Sequence, residues 1–294
     1  FGEFYGRSRG SSRHFYKAYG PHETYDFSSS NLKKKYGENW NSEFNRLAHA
    51  RLRSWGLNTF ANASSRELYL ESKTPYVATV WVRGTKKIEA SSGYQGKFHD
   101  VFDPGFRKAL RRSLSYKKEE AQDPWCIGFF IENELSWGRD RSLALATLAS
   151  PASQTAKQVF VADLKARYAS IEKLNAVWAS SFVSWEDLLV SQEKPDENQA
   201  KEDLNAFYQK IAVTYFSTVH EEMEKVAPHI LYLGCRLAWA RSDMVVRTAA
   251  AYCDVISYNK YEYSVANVDL PEGVDLPVMI GEFHFGALDR GSLH

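Results

Sequence analysis

Residues 126–138 read CIGFFIENELSWG, six apolar residues followed by Glu132-Asn133-Glu134. The apolar run has no polar alternation, which marks a strand buried on both faces, as in a parallel sheet. Working outward, similar strands are expected near 57–61, 76–82, 230–236, 254–260 and 277–282. Helical spacing covers 44–55, 106–120, 153–168, 171–178, 201–226 and 243–252, and 192–201 is polar and loop-like. No hairpin signal joins successive strands, so the pattern predicts an α/β fold with a parallel sheet built from βα units. Residues 1–42, rich in Gly, Ser, Tyr, Lys and Arg, read as a long, partly ordered loop.

The 294 residues are 44% hydrophobic and 25% charged, an ordinary globular composition. Lys plus Arg is 37 and Asp plus Glu 36, a formal net charge of +1. No global field draws the chain to nucleic acid or a membrane surface. The longest apolar run, 125–131, is too short for a membrane span. Cys126, Cys235 and Cys253 match no zinc spacing and read as buried thiols. No His/Cys/Asp cluster has metal-ligand spacing, and no glycine-rich nucleotide motif follows a strand, so neither a metal nor a cofactor is expected. The sequence is 14% aromatic; the rings either fill the core or line a groove for sugar faces. Asn62-Ala63-Ser64 fits a glycosylation sequon, a pattern short enough to occur by chance.

Several predicted strands end in polar residues, and in parallel α/β folds ligands meet those ends. Glu134 and Glu282 stand out. An acid at the end of a buried strand costs desolvation energy unless it is paired or used. Facing each other, two such acids can hydrolyse a glycoside, one protonating the leaving oxygen and the other, ionised, attacking the anomeric carbon or activating water. The plainer alternative pairs one acid with Arg236 or Arg83 and leaves the other at the surface.

The segment IGFFIENELSWG (127–138) resembles the fourth-strand signature of glycoside hydrolase clan A, and PVMIGEFHFG (277–286) resembles its seventh strand. RYASIEKLNAVWASSFVSWEDL (167–188) is similar to the helical stretch after the fourth strand in family 42 β-galactosidases. NELSWG, ISYNKYE and GEFHFGALDRG together look most like the family 50 β-agarases. The resemblance runs from about residue 44 onward. It implies a single catalytic (β/α)8 TIM-barrel domain over 1–294, truncated so that strands 2–7 are present and strands 1 and 8 missing. A chain so cut is expected to be poorly stable or inactive alone, with unpaired edges at 57–61 and 277–282.

The resemblance also implies a retaining hydrolase that cuts β-1,4-galactosidic bonds of agarose to neoagaro-oligosaccharides, without cofactor. Its partner would be a polysaccharide, and its parent secreted or periplasmic. Glu134 would be the acid/base and Glu282 the nucleophile. Asn133 would bind the sugar 2-hydroxyl, and Tyr261 would hydrogen-bond the nucleophile, with Tyr258 the alternative register. A Tyr donor would favour the ionised nucleophile. Alternation along the strands puts Ile280, Glu282 and His284 on one face, Ser257, Asn259 and Tyr261 on another, and Glu132 with Glu134. Further substrate contacts are expected from Asn58, His99, Trp137, Arg236, Trp239, Asn259 and His284, with Asp100 beside His99; each also has a structural reading as turn, ion pair or packing. Trp81 is expected in the core. Two other readings stay open: a family 42-like β-galactosidase and an inactive carbohydrate-binding barrel.

Overall fold

The computed structural model describes residues 2–7, 23–238, 242–268 and 270–284. The chain divides into two compact units, one of Phe1–Phe60 with Ser64–Pro75, the other of Ala61–Ala63 with Tyr76–His294.

The first unit carries two short antiparallel strands, β1 (Tyr5–Arg7) and β2 (Glu23–Tyr25), then helices Phe27–Tyr36, Trp40–Ser54 and Arg66–Tyr69. The helix Phe27–Tyr36 lies where a loop was expected. It is capped rather than amphipathic: Asp26 accepts from the Ser29 N–H at 2.9 Å, and Lys33, Lys34 and Lys35 occupy its last turn, where cations suit the helix dipole. The strand expected at 57–61 does not form. The Phe60 N–H donates to Pro75 O, and the Thr59 hydroxyl is engaged locally with Asn58 Oδ1. Such local bonds compete with a ladder.

In the second unit β3 (Tyr76–Val80), β4 (Cys126–Ile131) and β5 (Leu231–Tyr232) are parallel neighbours, as are β6 (Ile256–Lys260) and β7 (Val278–Phe283). A parallel bridge from Leu237 to Tyr258 joins the two sets: Leu237 donates to Ser257 O at 2.8 Å, and Asn259 donates to Leu237 O at 3.0 Å. Sequence-consecutive parallel strands with helices between them are the arc of an α/β barrel. β5 is shorter than expected because Gly234 and Arg236 take left-handed φ of 74° and 48° and leave the regular ladder. The helix expected over 106–120 is two, Pro104–Ser115 and Lys118–Gln122.

Val77, Phe130, Leu233 and Val255, one from each of four strand segments, form a buried cluster, with Ile127 and Met279 against it. The helix Lys201–Val226 clamps the exit of β4: Tyr215 donates to Ile131 O and Tyr208 to Trp137 O, both at 3.1 Å. All three cysteines are buried free thiols. Trp81, expected in the core, is 43% exposed just past β3. No helix among the described residues is long and apolar enough to cross a membrane.

Candidate active site

The chain leaves β4 through a strained turn. Glu132 and Glu134 have φ of 66° and 48°, a region that costs a non-glycine residue roughly 1–2 kcal/mol. Two left-handed residues break the strand alternation, so the two acids do not share a face. Glu132 turns to β3 and accepts the Val82 N–H. Glu134 turns the other way, its own N–H donating to Cys235 O at 3.0 Å.

Glu282 is aimed by a bulge. The β6–β7 register pairs Tyr258 with Ile280 but Asn259 with Glu282, so Gly281 is the extra residue. Gly281 also accommodates Arg236: a Cβ there would lie 2.6 Å from Arg236 Cδ and 2.9 Å from Cγ. The expected shared face of Ile280 and Glu282 is therefore lost, because the bulge slips the register by one residue.

The two acids meet. Asn259 Nδ2 is 2.7 Å from Glu134 Oε1 and 2.8 Å from Glu282 Oε2; the total of those lengths, about 5.5 Å, is a ceiling on the oxygen–oxygen separation. The same nitrogen is 3.1 Å from Asn133 Oδ1. Gln95 Nε2 donates to Glu134 Oε2 at 3.1 Å. Glu134 borders a cavity of about 170 Å³, lined also by Tyr94, Ser136, Trp137 and Ala238.

Burial raises the Tyr261 phenol, and the negative charges of Glu282 and Glu134 and a hydrogen bond with Glu282 raise it further. That places Tyr261 beside Glu282. Arg236 is wholly buried over the Phe130 ring, 5.0 Å from its centroid, and its guanidinium nitrogens have no hydrogen-bond partner among the described residues. Burial lowers its pKa; Glu282 and then Glu134 oppose that through space.

His99 is 1% exposed, held by the Thr85 hydroxyl at 2.6 Å and Lys87 Nζ at 3.1 Å; burial, then Lys87, pushes it down to about 3. Asp100 is buried too, accepting from Gln154 Nε2 at 2.5 Å and the Ala156 N–H at 3.0 Å at the start of helix Thr155–Tyr168. Neither is the loop contact expected, because both are consumed in holding the loop. Trp137 is stacked on Phe216 at 5.4 Å and shows the cavity only an edge of its surface. His284 is exposed one residue past β7. Asn58 belongs to the first unit, and Trp239 lies outside the described residues.

Gln95 was not expected. Its signal is Gly93-Tyr94-Gln95-Gly96: a Cβ at Gly93 would lie 2.3 Å from Ser136 Oγ, so only glycine lets this loop close on the Glu134 segment. No group of three or more His, Cys, Asp or Glu among the described residues could hold a metal.

A family model described as β-galactosidase, glycoside hydrolase family 42, matches residues 95–275. Beta-agarase B of Vibrio sp. (strain JT0107) is 33% identical over 92% of this chain. Among solved structures, an agarase, AgWH50C, superposes with a TM-score of 0.86 at 34% identity over 99% of this chain, and 43% of that one. An exo-β-agarase superposes at 0.84 and 32% identity over 93% of this chain, and 39% of that one. The chain spans 30% of the length of the curated relative.

Proposed function

Because the chain belongs to glycoside hydrolase clan A and is most like its family 50 β-agarases, we propose that it is the catalytic part of a retaining β-agarase. The observation that carries this reading is the shared Asn259 nitrogen, which brings the facing carboxyl oxygens of Glu134 and Glu282 within about 5.5 Å of each other. Retaining enzymes hold their carboxyls about 5–5.5 Å apart; inverting ones leave about 6.5–9.5 Å for a water.

In the first step Glu282 attacks the anomeric carbon, the glycosidic C–O bond breaks, and the Glu134 proton goes to the leaving oxygen. Esterified Glu282 is neutral, so Glu134 holds its negative charge more easily and takes a proton from water. That water attacks the same carbon and releases Glu282. Tyr261 donates to ionised Glu282, and Asn133 takes the sugar 2-hydroxyl. Arg236, too buried to touch sugar, acts on the pair by its charge. Trp137, at the edge of the cavity beside Glu134, and His284, exposed past β7, complete the substrate contacts.

The substrate is agarose or a related galactan, cut at β-1,4 bonds from a chain end to neoagarobiose, and the parent protein is secreted or periplasmic. A family 42-type β-galactosidase is the second reading, favoured by the family model matched over 95–275. Assay of agarose against a nitrophenyl β-galactoside separates the two. The agarase reading expects turnover of agarose that E282A abolishes while binding persists; turnover of the nitrophenyl sugar alone, or unchanged turnover by E282A, contradicts it.

A further inference from the structure

One side-chain nitrogen faces three acceptors. Asn259 Nδ2 is within 2.7 Å of Glu134, 2.8 Å of Glu282 and 3.1 Å of Asn133. An amide nitrogen carries two protons, so it satisfies two of the three at a time. The other end of the amide, Oδ1, is buried without a hydrogen-bond partner among the described residues. Turned over, the amide would point that oxygen at two carboxyls, so its orientation is set by donation alone. The main chain beneath is fixed, because the Asn259 N–H donates to Leu237 O and the bulge at Gly281 sets Glu282 opposite.

The groups around the pair are few. Arg236 comes from the segment after β5, Tyr261 follows β6, and Gln95 reaches Glu134 from the loop between β3 and the helix Pro104–Ser115. Lys260, next to Asn259, is engaged with Asn267 O and Glu262. Glu132 is turned to β3, and His284 is exposed past β7. Asn259 thus hydrogen-bonds both acids. Two ionised carboxyls this close disfavour each other's charge, whereas N–H donation favours it.

We propose that Asn259 is a positioning residue that clamps the two acids at one spacing and, by moving one N–H bond, follows their protonation. With both acids ionised the amide serves Glu134 and Glu282. When Glu134 is protonated, the amide serves Glu282 and Asn133, leaving Glu134's proton free for the leaving oxygen. When Glu282 is esterified, it serves Glu134 and Asn133. The catalytic consequence rests on the retaining-hydrolase reading; the clamp itself does not.

The test is a carbon-13 NMR titration of glutamate carboxyls in the chain, assigned with E134Q and E282Q, and repeated in N259A and N259D. Both apparent pKa values are expected about one unit higher in N259A, a tenfold change in the protonation ratio, and higher still in N259D, which adds a third carboxyl. N259S repeats the measurement if N259A does not fold. Unmoved values overturn the clamp. On agarose, N259A is expected to shift both limbs of the pH–kcat/KM profile to higher pH with KM within about twofold. A raised KM with the limbs unmoved makes Asn259 a substrate contact only and overturns the proposal. Shifted titrations in a chain that cuts no agarose would sustain the clamp and sink the hydrolase reading instead.

Discussion

Glu132 and Glu134 leave one strand two residues apart, both from left-handed backbone, and end in opposite surroundings. Glu132 is fixed by a main-chain N–H, that of Val82, beside His99 and Lys87. Burial raises its pKa, while the Val82 bond and the Lys87 charge oppose that. Glu134 accepts from two side-chain amides, Asn259 and Gln95, and borders a cavity. A main-chain donor belongs to the fold and cannot be exchanged without disturbing β3. Side-chain donors can be traded for substrate groups. Both are acids leaving the same strand; on the proposed reading, the neighbours make one structural and the other reactive.

The comparison breaks most visibly in turnover. E134A is expected to lower kcat/KM by about 10²–10⁴-fold, and E282A to abolish activity, both with unfolding transitions close to the parent. E132Q should leave kcat/KM within about tenfold. Loss of turnover in E132Q equal to that in E134A would erase the distinction.

The next effect is on acid stability. His99 is buried and neutral, its pKa down to about 3. Between that value and its unfolded value near 6.5, the unfolded chain binds more protons, so stability falls as pH drops through this window. The loss is on the order of a few kcal/mol when complete. Denaturant unfolding between pH 7 and 4 should show it, and H99N should flatten the fall. Glu132 acts in the opposite sense. Its raised folded pKa removes stability as pH rises above the ordinary carboxyl value of about 4.3, and E132Q removes that dependence. An unchanged profile in both variants would mean the Glu132 side is not the closed cluster described.

Smaller still, G281A forces a Cβ against the Arg236 stem and should cost about 1–3 kcal/mol, measured by the denaturation midpoint. It should also depress kcat through the displaced Glu282. G281A with parental stability would show that the bulge does not hold Arg236 in place.

Much of this was legible in the sequence. Strand 126–131 announces itself by an unbroken apolar run, and the polar ends of 126–131 and 278–283 mark Glu134 and Glu282. The rest was not legible because it breaks local rules. Alternation assigned Glu132 to Glu134's face, and only the backbone turn separates them. It assigned Ile280 to Glu282's face, and only the bulge at Gly281 denies it. The burial of the loop residues His99 and Asp100 was not legible, because Asp100 is held by Gln154, 54 residues further along the chain. Helix Phe27–Tyr36 has no apolar face and was invisible to periodicity; its Asp26 cap and triple lysine end were the available signals.

The central claim is that Glu134 and Glu282 act on one sugar carbon by double displacement. Proton NMR of the first product formed from a β-linked agaro-oligosaccharide reads this directly. The account predicts that the new reducing end appears first as the β anomer and then mutarotates; initial release of the α anomer would contradict it.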